Sequence, residues 1–257
     1  MRPRSAGNAA TSRLAVELLI VWVALGAAGW IIGAAVTGVH PAFDAASVDG
    51  LRGSRTGDLT TAMRVITWFG SPIWLDTVFV IACATLCFRR AWRSLLFLAL
   101  ATPGTVLMVQ LVKHAVNRTR PPGLHLIHAA GSSWPSGHAS SSVALYGALF
   151  LIALRSGAIK SARARRGAAL VLAVLLALIG ISRIYLGVHY LTDVVAAWLL
   201  AAGWLNALDS VYGRRVNPRS ALVGTKPEHE GAAGDSARSE RQASHGGDRV
   251  HIMHSKR

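Results

Sequence analysis

Six apolar blocks, separated by shorter polar segments, dominate the pattern of this chain. A helix needs about 20 mostly apolar residues to cross the hydrocarbon core of a bilayer. The second and fourth blocks are short by that measure, so we expect their helices to begin further upstream. The pattern predicts an all-α polytopic membrane protein, a six-helix transmembrane bundle over residues 14–210. The blocks are Leu14–Val36, Ile73–Phe88, Leu95–Val112, Ala139–Leu154, Gly167–Ile184 and Leu191–Leu208.

The first block follows Arg2, Arg4 and Arg13, so it resembles a secretory signal peptide in one respect. The apolar region of such a peptide is about 7–15 residues long. Because Leu14–Val36 is longer, the pattern favours a first membrane span over a cleaved leader. Residues 1–13 are then a short cytoplasmic N-terminal segment.

Two regions lie outside the blocks. Within residues 37–72, Leu59, Met63 and Ile66 belong to an apolar stripe at helical spacing. It predicts a short amphipathic helix, which can lie in the membrane interface or pack over the outer mouth of the bundle. Residues 211–257 mix Gly, Ser, Ala, His and charges of both signs, so we expect a disordered cytoplasmic tail.

Composition restricts the class of protein. Hydrophobic residues make up 52% of the chain and charged residues only 15%, against about 25% charged residues in typical soluble domains. The body of the chain is therefore too apolar to be intrinsically disordered. A disulfide scaffold is also excluded, because both cysteines, Cys83 and Cys87, lie within one apolar block.

The net charge of +15 by itself would suggest a nucleic-acid partner. Placing the 27 basic residues on the six spans removes that suggestion. With the N-terminus inside, 20 of them fall on the cytoplasmic side and seven on the outer side. The positive-inside rule then predicts that both termini are cytoplasmic. Four of the seven outer charges, Lys113, Arg118, Arg120 and Arg183, lie at span ends, where charge requires a reason.

Those four charges belong to three polar clusters on the predicted outer side. In the first, Lys113 and Arg120 are seven residues apart, close to two helical turns. The residue before a proline is restricted away from helical geometry, so Pro121 predicts that the helix ends nearby.

The second cluster, Pro135-Ser136-Gly137-His138, directly precedes the fourth span. Ser136 is a good N-cap, and Gly137 permits close approach to the backbone. The free N–H groups at a helix start can bind an anion, beside which His138 would stand.

The third cluster contains Ser182, Arg183, His189 and Asp193. His189 and Asp193 are four residues apart, which makes them neighbours on one face if both are helical. The carboxylate could then accept the Nδ1 proton of His189 and leave the other ring nitrogen as nucleophile or base.

The inventory of the three clusters suits phosphate chemistry. The cations and a helix N-terminus can hold a phosphate through a transition state, and two histidines can divide the roles of nucleophile and general acid. Few carboxylates are present, which disfavours Mg²⁺ or Ca²⁺. A zinc site at His138, His189 and Asp193 is disfavoured because nearby arginines repel a divalent cation.

Taken in order, the motifs Lys-x6-Arg-Pro, Pro-Ser-Gly-His and Ser-Arg-x5-His-x3-Asp resemble the type 2 phosphatidic acid phosphatase family. That family shares a superfamily with vanadium haloperoxidases and some bacterial acid phosphatases. The motifs span residues 113–193, and every motif position matches. Arg118 is additional to the minimal pattern but could also reach a phosphate.

The resemblance implies a role for each matched residue. His189 would attack phosphorus and form a phospho-histidine, oriented by Asp193. His138 would protonate the leaving oxygen and then activate water. Lys113, Arg120 and Arg183 would hold the phosphate oxygens with Ser136 and the Gly137 amide, and Ser182 and Arg118 are further candidates. No metal or other cofactor is expected.

The expected protein is therefore a membrane enzyme with its site at the outer face, acting on a lipid whose tail stays in the bilayer. Residue usage typical of a high-GC bacterium favours a polyprenyl diphosphate as substrate. Phosphatidic acid or phosphatidylglycerophosphate is the alternative. A non-catalytic lipid-phosphate binder or transporter is a further alternative, against which the complete set of His138, His189 and Asp193 argues. Sequence alone specifies no oligomeric state.

Overall fold

The structure, a computed structural model, describes residues 4–39 and 41–216, with side chains for residues 12–39 and 41–211. This part of the chain forms eight helices and contains no strand, so the all-α prediction is confirmed. The helices are α1 (Arg4–Val39), α2 (Ala42–Gly53), α3 (Gly57–Trp68), α4 (Pro72–Phe88), α5 (Trp92–Val116), α6 (Gly137–Arg155), α7 (Ala162–Tyr185) and α8 (Leu191–Val216).

Six helical segments are long and apolar enough to cross a bilayer, which confirms the six-span architecture. They are Ser12–Val39, Gly57–Phe88, Trp92–Val116, Gly137–Arg155, Ala162–Tyr185 and Leu191–Val211. Their outward surface is apolar: Leu19 and Ile20 on α1 are 59% and 61% exposed, and Phe88 is 91% exposed. An apolar surface this extensive marks contact with lipid rather than water.

The helices differ in length from the apolar blocks that predicted them. The first helix begins at Arg4 rather than Leu14, within the segment predicted to precede it. The fourth block extends upstream to Gly137 as expected, while α4 gains only Pro72 and is preceded by α3. α8 continues to Val216, past the predicted boundary at residue 210. The rest of the tail predicted to be disordered, residues 217–257, lies outside the described residues.

Local signals place the helix ends. Ser71 and Ser161 accept hydrogen bonds from Trp74 N and Ala164 N, so each caps the start of its helix. Pro72 occupies the first turn of α4, where a missing N–H costs nothing. α5 ends where Asn117 adopts a left-handed conformation with φ of 48°, a common helix terminator.

Residues 37–72, predicted to lie between the first two spans, contain α2 and α3, and α3 belongs to the apolar segment Gly57–Phe88. The amphipathic stripe corresponds to α3, which packs against α7. Of the two predicted arrangements, the structure thus has the one that packs on the bundle. α2 was not predicted, and it contacts α7 and α8.

The centre of the bundle lies between α5, α6 and α8. Leu98, Met108, Leu145 and Ala148 are all at most 1% exposed there. Alternating helix directions bring the C-terminal ends of α5 and α7 and the N-terminal ends of α6 and α8 to one end of the bundle. All three polar clusters lie at this end, which we call the site end.

Candidate active site

A cavity of about 490 Å³ opens at the site end, within the range of about 300–1,000 Å³ typical of ligand pockets. Its wall brings together one or more predicted residues from each of the three clusters. These are Lys113, Arg120, Gly137, His138, Arg183 and His189.

Lys113 and Arg120 reach the cavity from either side of the end of α5. Lys113 Nζ donates to the carbonyl of Ser132 at 2.7 Å. Arg120 donates to the carbonyls of Val188 and Ala130 at 2.7 and 2.8 Å. These partners are neutral, so neither positive charge is neutralised, and burial lowers the pKa of Arg120.

Arg183 enters from the last turn of α7 and is only 4% exposed. One of its terminal nitrogens donates to Thr67 Oγ1 of α3 at 2.8 Å, while its Nε has no partner among the described residues. No salt bridge found among the described residues includes Lys113, Arg120 or Arg183. Buried charges normally require a counter-ion, so this wall is built to receive an anion.

Ser136 occupies the N-cap position of α6, but its side chain caps nothing. Its buried hydroxyl has no hydrogen-bond partner in the described part of the chain, and it does not line the cavity wall. Its backbone N–H donates to the carbonyl of Asp193 at 3.0 Å, which ties the start of α6 to the start of α8. The next two residues, Gly137 and His138, form part of the wall.

His189 and Asp193 meet, although their arrangement differs from the predicted one. His189 precedes α8, which begins at Leu191, so the two residues do not share a helical face. Asp193 instead reaches back to accept from Tyr190 N at 2.8 Å, in the manner of a capping box. This turn brings Asp193 Oδ2 to 3.3 Å from His189 Nδ1.

The other ring nitrogen of His189 faces a guanidinium. Arg120 Nη1 lies 3.4 Å from His189 Nε2, and a guanidinium can only donate hydrogen bonds. Nε2 must therefore carry the lone pair and Nδ1 the proton. Burial lowers the pKa of His189 to about 4 against the opposing effect of Asp193, so the imidazole is neutral at pH 7. A neutral ring with its lone pair toward the cavity can act as a nucleophile.

Four of the predicted residues do not line the cavity wall: Ser136 and Asp193, described above, and the two further candidates Arg118 and Ser182. Arg118 is 2% exposed and donates to both Asp44 and Asp193 at 2.7 and 2.6 Å, so it does not reach the phosphate position considered for it. Ser182 is fully buried and donates to the carbonyl of Ile179 at 2.6 Å. This is the ordinary bond of a serine packed within a helix.

The wall also contains residues for which no site role was predicted. His114 and His128, which belong to none of the three motifs, line the cavity with Gln110 and Asn117. His114 directly follows Lys113 and so belongs to the same end of α5. Its position next to a motif residue is the only feature of the sequence that could have placed His114 in the site. No feature of the sequence indicates a site role for His128. No group of three or more His, Cys, Asp or Glu side chains among the described residues is arranged to hold a metal.

The three other arginines predicted on the outer side bind backbone carbonyls at the site end. Arg52 donates to Pro122, Arg55 to Leu124 and Tyr185, and Arg64 to Leu126. They therefore fasten α2 and α3 to the loop between α5 and α6 and to the end of α7.

A six-span helical bundle with a cationic cavity and a histidine–aspartate pair defines the class of a membrane phosphatase. The family model of the PAP2 superfamily matches residues 91–216. Phosphatidylglycerophosphatase B of Bacillus subtilis is 30% identical over 143 residues, which are 55% of this chain and 70% of that protein. The chain belongs to the PAP2 superfamily and is a lipid phosphatase.

Solved structures agree with this assignment. The transmembrane PAP2 type phosphatidylglycerolphosphate phosphatase from Bacillus subtilis is 28% identical, with a TM-score of 0.59 over 79% of this chain and 96% of that one. Aquifex aeolicus LpxE, 22% identical, has a TM-score of 0.50 over 66% of this chain and 96% of that one. The second likeness concerns the fold alone.

Proposed function

We propose that this protein hydrolyses the terminal phosphate of phosphatidylglycerophosphate at the outer face of the membrane. The relatives named above support this substrate, the alternative raised from sequence, better than they support a polyprenyl diphosphate. The main support for hydrolysis by a phosphatase mechanism is the cavity wall. There Lys113, Arg120 and Arg183, which form no salt bridge among the described residues, surround His138 and His189.

The first step forms a phospho-histidine. His189 Nε2 attacks phosphorus, and the bond from phosphorus to the lipid oxygen breaks. His138 donates a proton to that oxygen, so the lipid leaves as an alcohol. Asp193 stabilises the positive imidazole ring through Nδ1, while Lys113, Arg120 and Arg183 hold the phosphate oxygens as negative charge shifts onto them.

The second step restores the enzyme. His138, now neutral, takes a proton from water, and the water oxygen attacks phosphorus as the bond to His189 breaks. Inorganic phosphate leaves, and His189 is again neutral. Neither step requires a metal, and the wall of cations without carboxylates is unlike the oxygen-rich sites of Mg²⁺ or Ca²⁺.

The charge pattern supports the orientation. Both termini would be cytoplasmic, and the site end would face outward. A lipid phosphate would then enter with its headgroup in the cavity and its tail in the bilayer. The tail of the protein, residues 217–257, would remain in the cytoplasm.

The test is release of phosphate by the purified full-length protein from three lipids in EDTA: phosphatidylglycerophosphate, phosphatidic acid and a polyprenyl diphosphate. We expect the fastest release from phosphatidylglycerophosphate. His189→Ala and His138→Ala should lose about 10²–10⁴-fold or more in kcat, whereas His125→Gln, outside the cavity wall, should retain activity.

Each failure has a distinct meaning. Faster hydrolysis of the polyprenyl diphosphate would overturn the proposed substrate but not the chemistry. Full activity of His189→Ala would overturn the nucleophile. Loss of wild-type activity in EDTA would overturn the metal-independent mechanism.

A further inference from the structure

Arg118 lies between two buried carboxylates that belong to different parts of the chain. Its Nη2 is 2.7 Å from Asp44 Oδ2 and its Nη1 is 2.6 Å from Asp193 Oδ1. All three side chains are at most 2% exposed. The guanidinium also lies over the ring of Tyr190, with Cζ 4.3 Å from the ring centroid, so its plane is fixed as well as its ends.

Asp44 connects this arrangement to α2. Its Oδ1 accepts from Thr192 N at 3.0 Å, and its Oδ2 accepts from Thr192 Oγ1 at 2.6 Å. Thr192 Oγ1 in turn lies 2.8 Å from Arg118 Nη1. One carboxylate of α2 therefore fixes the first turn of α8 next to Asp193.

The two oxygens of Asp193 have different partners. Oδ1 binds Arg118, whereas Oδ2 faces His189 Nδ1 and accepts from Tyr190 N and Ser133 Oγ. Rotation of the carboxylate would break both sets of contacts. Arg118 thus holds the oxygen that does not face the histidine, and by doing so it orients the one that does.

We propose that Asp44 and Arg118 are positioning residues that hold Asp193, and through it His189, in the reactive geometry. The inference rests on the proposed role of His189. It makes α2, which lies outside all three motifs and outside the matched region 91–216, part of the catalytic apparatus.

Stability alone does not account for these contacts. Burying three charged groups is costly, and replacement of such networks by apolar residues is often neutral or stabilising. In contrast, removing a contact that orients a metal-ligating histidine typically costs about 10–100-fold in metal affinity or activity, and we take the same range for Arg118 and Asp44, which orient the partner of His189.

The first variant is Asp44→Asn, which preserves shape and removes the charge. We expect kcat to fall about 10–100-fold with KM little changed, because the phosphate-binding cations are untouched. Asp49→Asn is the matched control: it lies on the same helix, but its side chain is 69% exposed and pairs only with Arg52. Thr192→Val, which removes both hydroxyl contacts without removing a charge, should lower kcat in the same direction by a smaller factor.

A pH profile separates positioning from a general structural role. The charged or titratable groups around His189 are Asp193, Arg120, Arg183, Lys113 and His138. Without the Asp44 charge, Arg118 neutralises Asp193 more completely, so the His189 imidazolium is less stabilised. The acid limb of kcat/KM should move to lower pH by about 0.5–1 unit. A merely loosened fold gives no reason for a shift in that direction.

Every outcome of these measurements decides the proposal. Reduced kcat with unchanged KM and the shifted limb support it. Wild-type kcat in folded Asp44→Asn overturns it, as does an equal loss in Asp49→Asn. If Asp44→Asn does not fold, wild-type kcat in Thr192→Val overturns it and a lowered kcat supports it. If His189→Ala retains wild-type activity, both the proposed function and this inference are overturned. If His189→Ala is inactive but Asp44→Asn is fully active, only the inference about the positioning residues fails.

Discussion

At the scale of single residues, the proposed site combines a neutral histidine with three cations that form no salt bridge among the described residues. Burial keeps His189 neutral, and in the proposed mechanism Asp193 would supply the charge that stabilises the ring once it reacts. Lys113 and Arg120 donate hydrogen bonds to backbone carbonyls. These neutral acceptors orient the two side chains without cancelling their positive charge. This arrangement places the electrostatic stabilisation where a phosphate would bear its negative charge.

The lowered pKa of His189 gives a pH prediction. The neutral ring is the reactive form, and it predominates above a pKa of about 4. We therefore expect protonation of His189 to produce the acid limb of kcat/KM only near pH 4. The protonated form of His138, which the first step requires, sets a separate limb on the alkaline side. The profile is measured in detergent micelles, with recovery of activity on return to pH 7 as the control for unfolding. An acid limb near pH 6.5, the ordinary value, would show that burial does not control this histidine.

Removal of one cation tests the anion site. Lys113→Gln should lower kcat/KM by about 10²–10³-fold, the usual effect of losing one group that stabilises the transition state. Lys160→Gln is the control, because Lys160 is exposed at the opposite end of the bundle. Comparison of kcat/KM for the two variants decides the matter. Equal values would remove Lys113 from the site.

At the scale of elements, the position of α7 against α8 depends on a glycine. A Cβ on Gly180 would come within 2.3 Å of the Trp198 ring and 2.6 Å of Val194. The rigid indole cannot yield easily, so any side chain forces the helices apart. Gly180 lies three residues before Arg183 on α7, so this close contact lies about one helical turn from the cavity wall.

Gly180→Ala should therefore destabilise the bundle by about 1–3 kcal/mol, the usual cost of overpacking. Gly167→Ala lies on the same helix with nothing within 4 Å of the added Cβ. It should be neutral or stabilise by up to about 1 kcal/mol through helix propensity. Thermal unfolding of both variants in the same detergent provides the comparison. A Gly180→Ala protein as stable as Gly167→Ala would contradict the packing described.

At the scale of the whole molecule, the fold separates two sets of charge. At the site end, Arg52, Arg55 and Arg64 fasten α2 and α3 through backbone carbonyls, and the three cavity cations form no salt bridge among the described residues. The loops at the other end, residues 89–91 and 156–161, carry the exposed basic residues expected at a cytoplasmic surface. The net charge of +15 is thus the sum of a topological signal and a smaller chemical one.

The orientation can be tested with an impermeant thiol reagent on intact cells. In a background with Cys83→Ser and Cys87→Ser, a cysteine at Gly53 should be labelled, since this exposed position lies at the site end and an added Cβ meets nothing within 4 Å. Lys160→Cys, exposed at the other end, should react only after the cells are permeabilised. The reverse pattern would invert the proposed topology.

By itself the sequence determined the six spans, because the hydropathy and length of a segment are local properties, and they suffice to decide whether a helix can cross a bilayer. It also determined the three motifs and predicted that His189 and Asp193 would meet. Only the tertiary structure decided what Arg118 does: its partner Asp44 is 74 residues away, on a helix that no motif marks. Burial and the choice of ion-pair partner depend on how distant segments pack. A charge at a span end can therefore be recognised from sequence, but whether it faces a substrate or a buried carboxylate is set by the fold.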